Sequence, residues 1–185
     1  NASQWAVCSG GSDKVEIEEV TTDSAGNFYM TGYFTGTAVF WGEILVSSGN
    51  RDIFIAKFNN NETWAVKAGG SADDVGYGIA ADSSGNAYVT GYFQGTATFG
   101  STSLVSSGNN DIFIAKLSSS GSWQWAVKAG GSSIDRGYGI AVDSSGNAYV
   151  TGVFRGTAVS FGSTSLTSSG SYDIFIAKLS SSGSW

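Results

Sequence analysis

The chain has 185 residues, of which 14% are aromatic and only 13% charged, and it contains 27 glycines and no proline. Disordered chains are usually rich in charge or proline and poor in aromatic residues, so this composition predicts a packed core. The net charge of −6 and the absence of any cluster of lysine or arginine argue against binding to nucleic acid or to anionic membrane surfaces. The apolar runs are only a few residues long, too short to span a bilayer.

A ten-residue segment recurs along the chain. The sequence DSSGNAYVTG occupies residues 82–91 and again 143–152, and a looser copy, DSAGNFYMTG, occupies 23–32. Each copy predicts a turn followed by a strand, because Asp bonds to the backbone ahead of it, Gly-Asn tolerates positive φ, and a β-prone run follows. The repeat therefore sets the unit of the fold.

The period of the repeat follows from the Trp-Ala-Val segments that begin at Trp5, Trp64 and Trp125. They lie about sixty positions apart, slightly more than an ordinary propeller blade. No segment has apolar residues at helical spacing, whereas short β-type runs recur throughout, so an all-β fold is predicted. We expect three units, residues 1–63, 64–124 and 125–185, which together form one propeller or part of one.

The third unit allows the strands to be placed. They are predicted at residues 125–129, 137–143, 147–154 and 173–179, which makes four principal strands per period. The segment 156–170 contains two short β-prone runs around a Gly-Ser turn and predicts a small extra hairpin, which accounts for the long period.

The run Ile-Phe-Ile-Ala at residues 53–56, 112–115 and 174–177 is apolar on both alternating faces. A strand of this kind must be covered on both sides. Radially stacked blades of four antiparallel strands provide that cover, and a solenoid is the less favoured alternative.

The pattern GGSxxDxGYGIAxDSSGNAYVTGxFxGTAxFG, followed by SSGxxDIFIAKL, resembles the bacterial seven-bladed β-propeller repeat, a module of prokaryotic surface and secreted proteins. The resemblance covers essentially the whole chain and implies the propeller fold without implying an activity. The first unit departs from the pattern, since Glu16-Ile17-Glu18-Glu19-Val20 replaces GYGIA.

Three blades do not close a ring that usually has roughly four to eight. The third unit stops at Gly183-Ser184-Trp185, where the second unit continues into Trp125-Ala126-Val127, and Gln4-Trp5-Ala6-Val7 offers the equivalent strand at the other end. We therefore expect a homo-oligomer, either a six-bladed dimeric ring or a filament formed by head-to-tail strand exchange. The alternative is that the sequence, which begins at Asn1 without a methionine, is processed or is an excerpt of a longer array.

The residues for most catalytic chemistry are missing. The chain has no histidine and one cysteine, Cys8, which argues against zinc, disulfides and Ser-His or Cys-His catalysis. The turns at Asp82 and Asp143 supply one carboxylate each, too few for calcium, and are expected to be turn caps. We expect no enzyme activity, no cofactor and no metal.

Residues that vary between copies are the better candidates for recognition. Thr35, Gln94 and Arg155 occupy one such position and Arg51, Asn110 and Tyr172 another, both beside the extra hairpin. Asp74, Asp135 and Arg136 precede the inner strands of their units. The candidate ligand-binding residues are Arg51, Asp74, Gln94, Asn110, Asp135, Arg136, Arg155 and Tyr172. Polar, planar side chains beside exposed aromatic rings suit a carbohydrate. Drift of surface loops would produce the same variation between copies, and a structural or solubility role is the alternative for Asp74 and Asp135.

Tryptophan has two expected roles. Trp5, Trp64 and Trp125 are expected to pack as blade anchors. Trp123 and Trp185 are expected to pack in the core or at the sheet edge, with an exposed stacking platform for a sugar as the alternative.

These observations predict a non-catalytic binding module, lectin-like or protein-binding. The acidic, Ser/Thr/Gly/Asn-rich and nearly cysteine-free composition favours a secreted or cell-surface location. The alternative function is a structural subunit that assembles by strand exchange. Two N-x-S/T triplets, at Asn1 and Asn61, leave glycosylation open.

Overall fold

A computed structural model describes residues 6–59 and 62–185. Within these ranges the chain consists of strands and turns without a helix, so the all-β prediction is confirmed. The strands are β1 (Gly10–Gly11), β2 (Val15–Thr22), β3 (Phe28–Phe34), β4 (Thr37–Phe40), β5 (Glu43–Val46), β6 (Asp52–Phe58), β7 (Trp64–Gly70), β8 (Val75–Ala81), β9 (Ala87–Phe93), β10 (Thr96–Phe99), β11 (Thr102–Val105), β12 (Asp111–Leu117), β13 (Trp123–Ala129), β14 (Arg136–Val142), β15 (Ala148–Phe154), β16 (Val159–Phe161), β17 (Thr164–Leu166) and β18 (Asp173–Leu179).

The principal strands form three antiparallel blades. Blade 1 has the order β2-β3-β6-β7, blade 2 the order β8-β9-β12-β13, and blade 3 the order β14-β15-β18. The innermost strands β2, β8 and β14 lie beside one another. The outer strands β7 and β13 come from the unit that follows, so successive units are joined by sheet hydrogen bonds as well as by packing.

The predicted strands of the third unit agree with β14, β15 and β18 to within one residue. β13 starts at Trp123, earlier than predicted, because Trp123 pairs with Leu117 across a bulge. The extra hairpin is confirmed in every unit, as β4–β5, β10–β11 and β16–β17. In the second unit it continues the sheet of blade 1, since β10 pairs with β7.

The core lies between the blades. One apolar layer joins blades 1 and 2 and contains Ile53, Ile55 and Phe113; a second joins blades 2 and 3 and contains Ile112 and Phe175. The Ile-Phe-Ile-Ala strands of blades 1 and 2 are buried on both faces, as predicted.

The described residues cover blade 3 on one face only. Ile174 is 81% exposed and Ile176 is 76% exposed, beside Tyr149 and Thr151 on the neighbouring strand. These four residues are called the outward face of blade 3. At the opposite end of the array, the outward face of blade 1 contains Ile17, Phe28, Met30 and Trp41, which line one groove together with neighbouring residues.

The repeated turns are capped as predicted. The Oδ1 atom of Asp82 accepts hydrogen bonds from the backbone N–H groups of Ser84 and Asn86, both at 2.9 Å, and Oδ2 accepts one from Asn86 Nδ2 at 2.8 Å. Gly85 has a φ of 78°, which glycine adopts without strain. The same bonds form at Asp143, where side-chain and backbone hydrogen bonds from Asn147 lower the pKa to about 2.

The tryptophans tie neighbouring blades together. Trp64 and Trp125 donate from Nε1 to the carbonyl oxygens of Ser119 and Ser181, at 3.0 and 3.1 Å. Trp5 lies outside the described residues. Trp123 and Trp185 pack edge-on against the phenylalanines of the hairpins, Phe99 and Phe161, with centroid distances of 5.5 and 5.6 Å, and therefore fill the sheet edge.

The pairing register corrects the alignment of the divergent first unit. Ile17 lies opposite Gly32, as Gly76 lies opposite Gly91 in blade 2. The residues that replace GYGIA therefore begin at Ile17, one residue later than the sequence comparison placed them. A β-bulge occurs at the same point in all three blades.

Candidate functional site

Six side chains from the three blades form a continuous cluster at the innermost strands. This tyrosine–arginine cluster consists of Tyr33, Arg51, Tyr77, Tyr92, Arg136 and Tyr138. It draws residues from all three blades, so it exists only when the blades are packed together.

Glycines on the inner strands allow these side chains to meet. Tyr77 and Tyr138 each stand in a Gly-Tyr-Gly segment at the β-bulge. A Cβ atom on Gly78 would lie 2.8 Å from the carbonyl oxygen of Tyr138, so a larger residue would push β8 and β14 apart. With glycine, the Tyr77 and Tyr138 rings approach to a centroid distance of 5.3 Å.

The cluster alternates cations with aromatic rings. Arg51 Cζ lies 4.8 Å from the centroid of the Tyr33 ring, and Arg136 Cζ lies 5.1 Å from that of Tyr92. The Tyr92 ring in turn lies 5.7 Å from the Tyr77 ring. A guanidinium over a ring face is attracted by the ring quadrupole, which favours these positions of the two guanidinium groups.

The surroundings raise the pKa of both arginines and of two of the tyrosines, Tyr77 and Tyr92. Burial lowers the pKa of Arg51, but the Asp73 carboxylate, 3.9 Å from Arg51 Nε, and the nearby tyrosines give a net increase. Burial also lowers the pKa of Arg136, but a hydrogen bond to Tyr138 together with the electrostatic interactions with Tyr77, Tyr138 and Tyr92 gives a net increase. Burial raises the pKa of Tyr77 and Tyr92.

One donor in the cluster is unused. Arg136 Nε is buried and has no hydrogen-bond partner among the described residues. An unpartnered buried donor costs free energy, so a ligand or an ordered water that accepts this hydrogen bond would be stabilised here.

Blade 1 extends the cluster with an ion pair. Tyr33 donates a hydrogen bond to Glu16 Oε2 at 2.6 Å, and Lys14 contacts both side chains. Glu16 thus occupies a position at which the other two blades have Val75 and Arg136.

Two of the predicted ligand residues have a different role. Asp74 and Asp135 are fully buried. Asp74 accepts backbone hydrogen bonds from Gly70 at 2.7 Å and Gln94 at 3.1 Å, and Asp135 accepts the equivalent bonds from Gly131 and Arg155. Each carboxylate links two backbone segments inside the fold and is not exposed to a ligand; burial raises the pKa of Asp74 to about 7 and also raises that of Asp135.

The other six predicted residues fall into three groups. Arg51 and Arg136 belong to the tyrosine–arginine cluster. Gln94 donates from Nε2 to Asn110 Oδ1 at 2.9 Å, which brings the two variable positions of the second unit together. Their counterparts in the third unit are also neighbours, since Arg155 Cζ lies 5.9 Å from the centroid of the Tyr172 ring.

The four tyrosines of the cluster were not predicted from the sequence. Their signal was present: Tyr77 and Tyr138 lie between two glycines of an inner strand, and Tyr33 and Tyr92 follow the repeated Thr-Gly. A large amphipathic side chain between glycines is typical of a strand whose neighbours approach closely.

Two further findings concern the described residues. Among them, no group of three or more His, Cys, Asp or Glu side chains is placed to hold a metal ion. None of them forms a helix long and apolar enough to cross a membrane.

The antiparallel blades and their order define an all-β fold of propeller-like blades. A family model described as a beta-propeller repeat matches residues 64–92 and 124–153. Each matched segment begins at an outer strand and runs through the two inner strands of the next blade. The matches support a propeller repeat family, without a bacterial source or a ring of seven blades.

The chain is also similar to a curated repeat protein. The chain is 28% identical over 149 residues to a WD repeat-containing protein of Acanthamoeba polyphaga mimivirus. The alignment covers 72% of this chain and 11% of that protein. The chain thus spans about a ninth of the length of the relative it matches.

Proposed function

We propose that the chain is a non-catalytic interaction module that binds a partner protein through the tyrosine–arginine cluster. Tyrosine and arginine dominate the energetic hot spots of protein interfaces, because both combine a large apolar contact area with directional donors. The observation that carries the proposal is the continuous contact of four tyrosines and two arginines, in which Tyr138 and the Arg51 side chain are 44% and 43% exposed while Tyr33 and Tyr92 are buried.

A protein partner suits this cluster better than a carbohydrate. A sugar stacks on a free ring face, whereas the guanidinium groups of Arg51 and Arg136 already lie over the rings of Tyr33 and Tyr92. Trp123 and Trp185, the other candidates for a platform, pack edge-on against phenylalanine. The similarity to a WD repeat-containing protein is in keeping with a propeller module, and the composition supports a secreted or cell-surface location.

Selection against a displayed peptide library and a glycan array tests this proposal. We expect peptide ligands whose affinity falls at least tenfold for Arg136→Ala and for Tyr77→Ala, the loss typical of a hot-spot residue. Arg155→Ala is the matched control, because this arginine faces Tyr172 outside the cluster, and it should bind as the wild type does. Binding to glycans alone, or equal binding by all the variants, contradicts the proposal.

A second candidate function is assembly with another copy, and the outward face of blade 3 favours it. Ile174 and Ile176 are 81% and 76% exposed, whereas their counterparts Ile112 and Ile114 are completely buried. Contiguous exposed apolar residues of this kind mark interaction surfaces. We propose that two copies associate through this face; Gln4 and Trp5, which belong to the strand expected to be exchanged, lie outside the described residues.

A further inference from the structure

We propose that Ile17 closes the outward face of blade 1 to docking by another blade of the same repeat. The array then has one end that accepts a further blade and one end that rejects it. This inference is independent of the tyrosine–arginine cluster and refines the assembly function, because it names the face that does not take part.

The two contacts between blades inside the chain show what docking requires. Gly76 of blade 2 faces blade 1, and a Cβ atom there would lie 2.3 Å from Thr31 Oγ1 and 3.2 Å from a methyl group of Ile53. Gly137 of blade 3 faces blade 2 in the same way, with distances of 2.2 Å to Thr90 Oγ1 and 3.2 Å to Ile112. Both contacts therefore depend on the absence of a side chain.

The threonine hydroxyl groups are not free to move aside. Thr31 Oγ1 donates to the carbonyl oxygen of Phe54 at 3.0 Å, and Thr90 Oγ1 donates to that of Phe113 at 2.8 Å. Both threonines are fully buried. Rotating the hydroxyl group away would leave a buried carbonyl without this bond, which costs free energy.

Ile17 occupies the equivalent position in blade 1. It pairs with Gly32, as Gly76 pairs with Gly91, and lies at the same β-bulge. Its side chain is 53% exposed and lines the groove with Met30. Met30 is the counterpart of Val89, which packs in the layer between blades 1 and 2, so the side chain of Ile17 lies on the face that a preceding blade would cover.

A docking blade would bring the outward face of blade 3, with Thr151 and Ile174, against this position. By analogy with the internal contacts, the Ile17 side chain would overlap the side chains of Thr151 and Ile174. Thr151 is exposed and its hydroxyl group is oriented differently from those of Thr31 and Thr90, since its Oγ1 would lie 3.0 Å from a Cβ atom on Gly139 of its own blade; we expect it to adopt the orientation of the other two when a blade docks. Contact of blade 3 with blade 1 is therefore blocked, and association through blade 3 ends at a pair instead of continuing as a ring or filament.

Two substitutions at one position test this. Ile17→Gly restores the residue found in blades 2 and 3, whereas Ile17→Ala removes the other three side-chain carbons but keeps the obstructing Cβ atom. In sedimentation experiments at equal concentration, we expect the weight-average mass of Ile17→Gly to be at least twofold that of Ile17→Ala, which should match the wild type. Equal masses for the two variants overturn the proposal.

A tandem fusion of two complete chains separates this inference from the assembly function. The fusion holds blade 3 of the first copy beside blade 1 of the second at high effective concentration, so docking no longer depends on spontaneous association. With Gly in place of Ile17 in the second copy, we expect amide exchange of residues 174–178 in the first copy to slow at least tenfold, and with Ala to be unchanged. Equal exchange in the Gly and Ala fusions overturns the role of Ile17, whatever the mass of the single chain.

Discussion

Strands β12 and β18 have the same seven residues, Asp-Ile-Phe-Ile-Ala-Lys-Leu, and different surroundings. Ile112 and Ile114 in β12 are completely buried, whereas Ile174 and Ile176 in β18 are 81% and 76% exposed. On the other face of the two strands, Phe113 and Phe175 are both buried. The difference comes from the neighbouring blade alone, because blade 3 covers blade 2 while no described residue covers the outward face of blade 3.

The comparison shows that the stability of each blade depends on the blades packed against it. A single blade buries only one apolar layer, and each additional blade supplies the cover that its neighbour lacks, as in other repeat architectures. The identical strand should therefore respond very differently to the same substitution in the two blades.

The largest expected effect is at the buried isoleucines. Ile114→Ala should lower the free energy of unfolding by about 2–5 kcal/mol, because it removes apolar contact and leaves a cavity. Ile176→Ala, the same change in the identical strand, should alter it by less than about 0.5 kcal/mol in dilute solution. Urea denaturation of both variants makes the comparison, and equal losses would contradict it.

The acidic residue that begins each strand extends the comparison. Asp111 is fully buried; its Oδ2 atom accepts a bond from Lys128 Nζ at 3.2 Å, while its Oδ1 atom has no partner among the described residues. Lys128→Met leaves this carboxylate without its cation and should cost about 2–3 kcal/mol, somewhat less than a fully buried pair because the lysine is partly exposed.

Asp173, at the same position in β18, is only half-buried and accepts a backbone bond from Ser169. Asp173→Asn should therefore change the free energy of unfolding by less than about 1 kcal/mol. Thermal unfolding of the two variants at low ionic strength measures the contrast. A small effect of Lys128→Met would show that the Asp111 carboxylate is solvated.

The glycine at the junction between blades should have a smaller but specific effect. Gly76→Ala should destabilise by about 1–3 kcal/mol, because the added methyl group overlaps the Thr31 hydroxyl group. Gly170→Ala, where nothing lies within 4 Å, is the control. The double variant Gly76→Ala with Thr31→Ala should lose less stability than the sum of the two single variants, because Thr31→Ala removes the hydroxyl group that the new methyl group overlaps. Additive losses would show that this overlap is not the source of the destabilisation.

Buried Asp74 predicts a pH dependence. Burial raises the pKa of Asp74 from 3.8 to about 7, against the hydrogen bonds from Gly70 and Gln94 that lower it. Between these pH values the folded chain binds more protons than the unfolded chain, so this residue's contribution to stability is present below about pH 4 and is lost as the pH rises to about 7.

The stability advantage of the wild type over Asp74→Asn should therefore shrink as the pH rises from 4 to 7, by at most about 1.4 kcal/mol per pH unit. Denaturation of both proteins across that range, in one buffer series, isolates the residue. An advantage that grows with pH would mean that the backbone hydrogen bonds outweigh burial.

The sequence was sufficient for the blades because each signal is local. The continuous apolar run at residues 174–177, the Asp-x-x-Gly-Asn turns and the Gly-Ser turn of the hairpin each depend on a few neighbouring residues, and the sequence predicts all three. The three strands of blade 3, against four in blades 1 and 2, were expected from comparing one unit with the next.

The site was less predictable because it depends on contacts between units. Asp74 and Asp135 look like surface acids in a loop, and only the fold brings distant backbone N–H groups to them. Tyr33, Tyr77 and Tyr138 belong to three different blades, and nothing within one unit shows that they converge.

Comparing the units in sequence also did not reveal that a tryptophan can fill a similar space from a different position. In the second unit, Trp123 packs against Gly100, where a Cβ atom would lie 2.7 Å from the indole. In the first unit the tryptophan stands at the position of that glycine, as Trp41, at a φ of 49° and against Phe58. A similar apolar surface is filled from a different position in the chain.

The outward face of blade 3 is proposed to be an interaction surface between two copies of the chain. Sedimentation equilibrium of the wild-type chain and of Ile174→Asp tests it most directly, since the substitution places a charge on an exposed side chain and should leave the fold intact. We predict a mass of about twice 19.1 kDa for the wild type and 19.1 kDa for the variant. A wild-type mass of 19.1 kDa at every concentration, or a dimer that persists in Ile174→Asp, would contradict the claim.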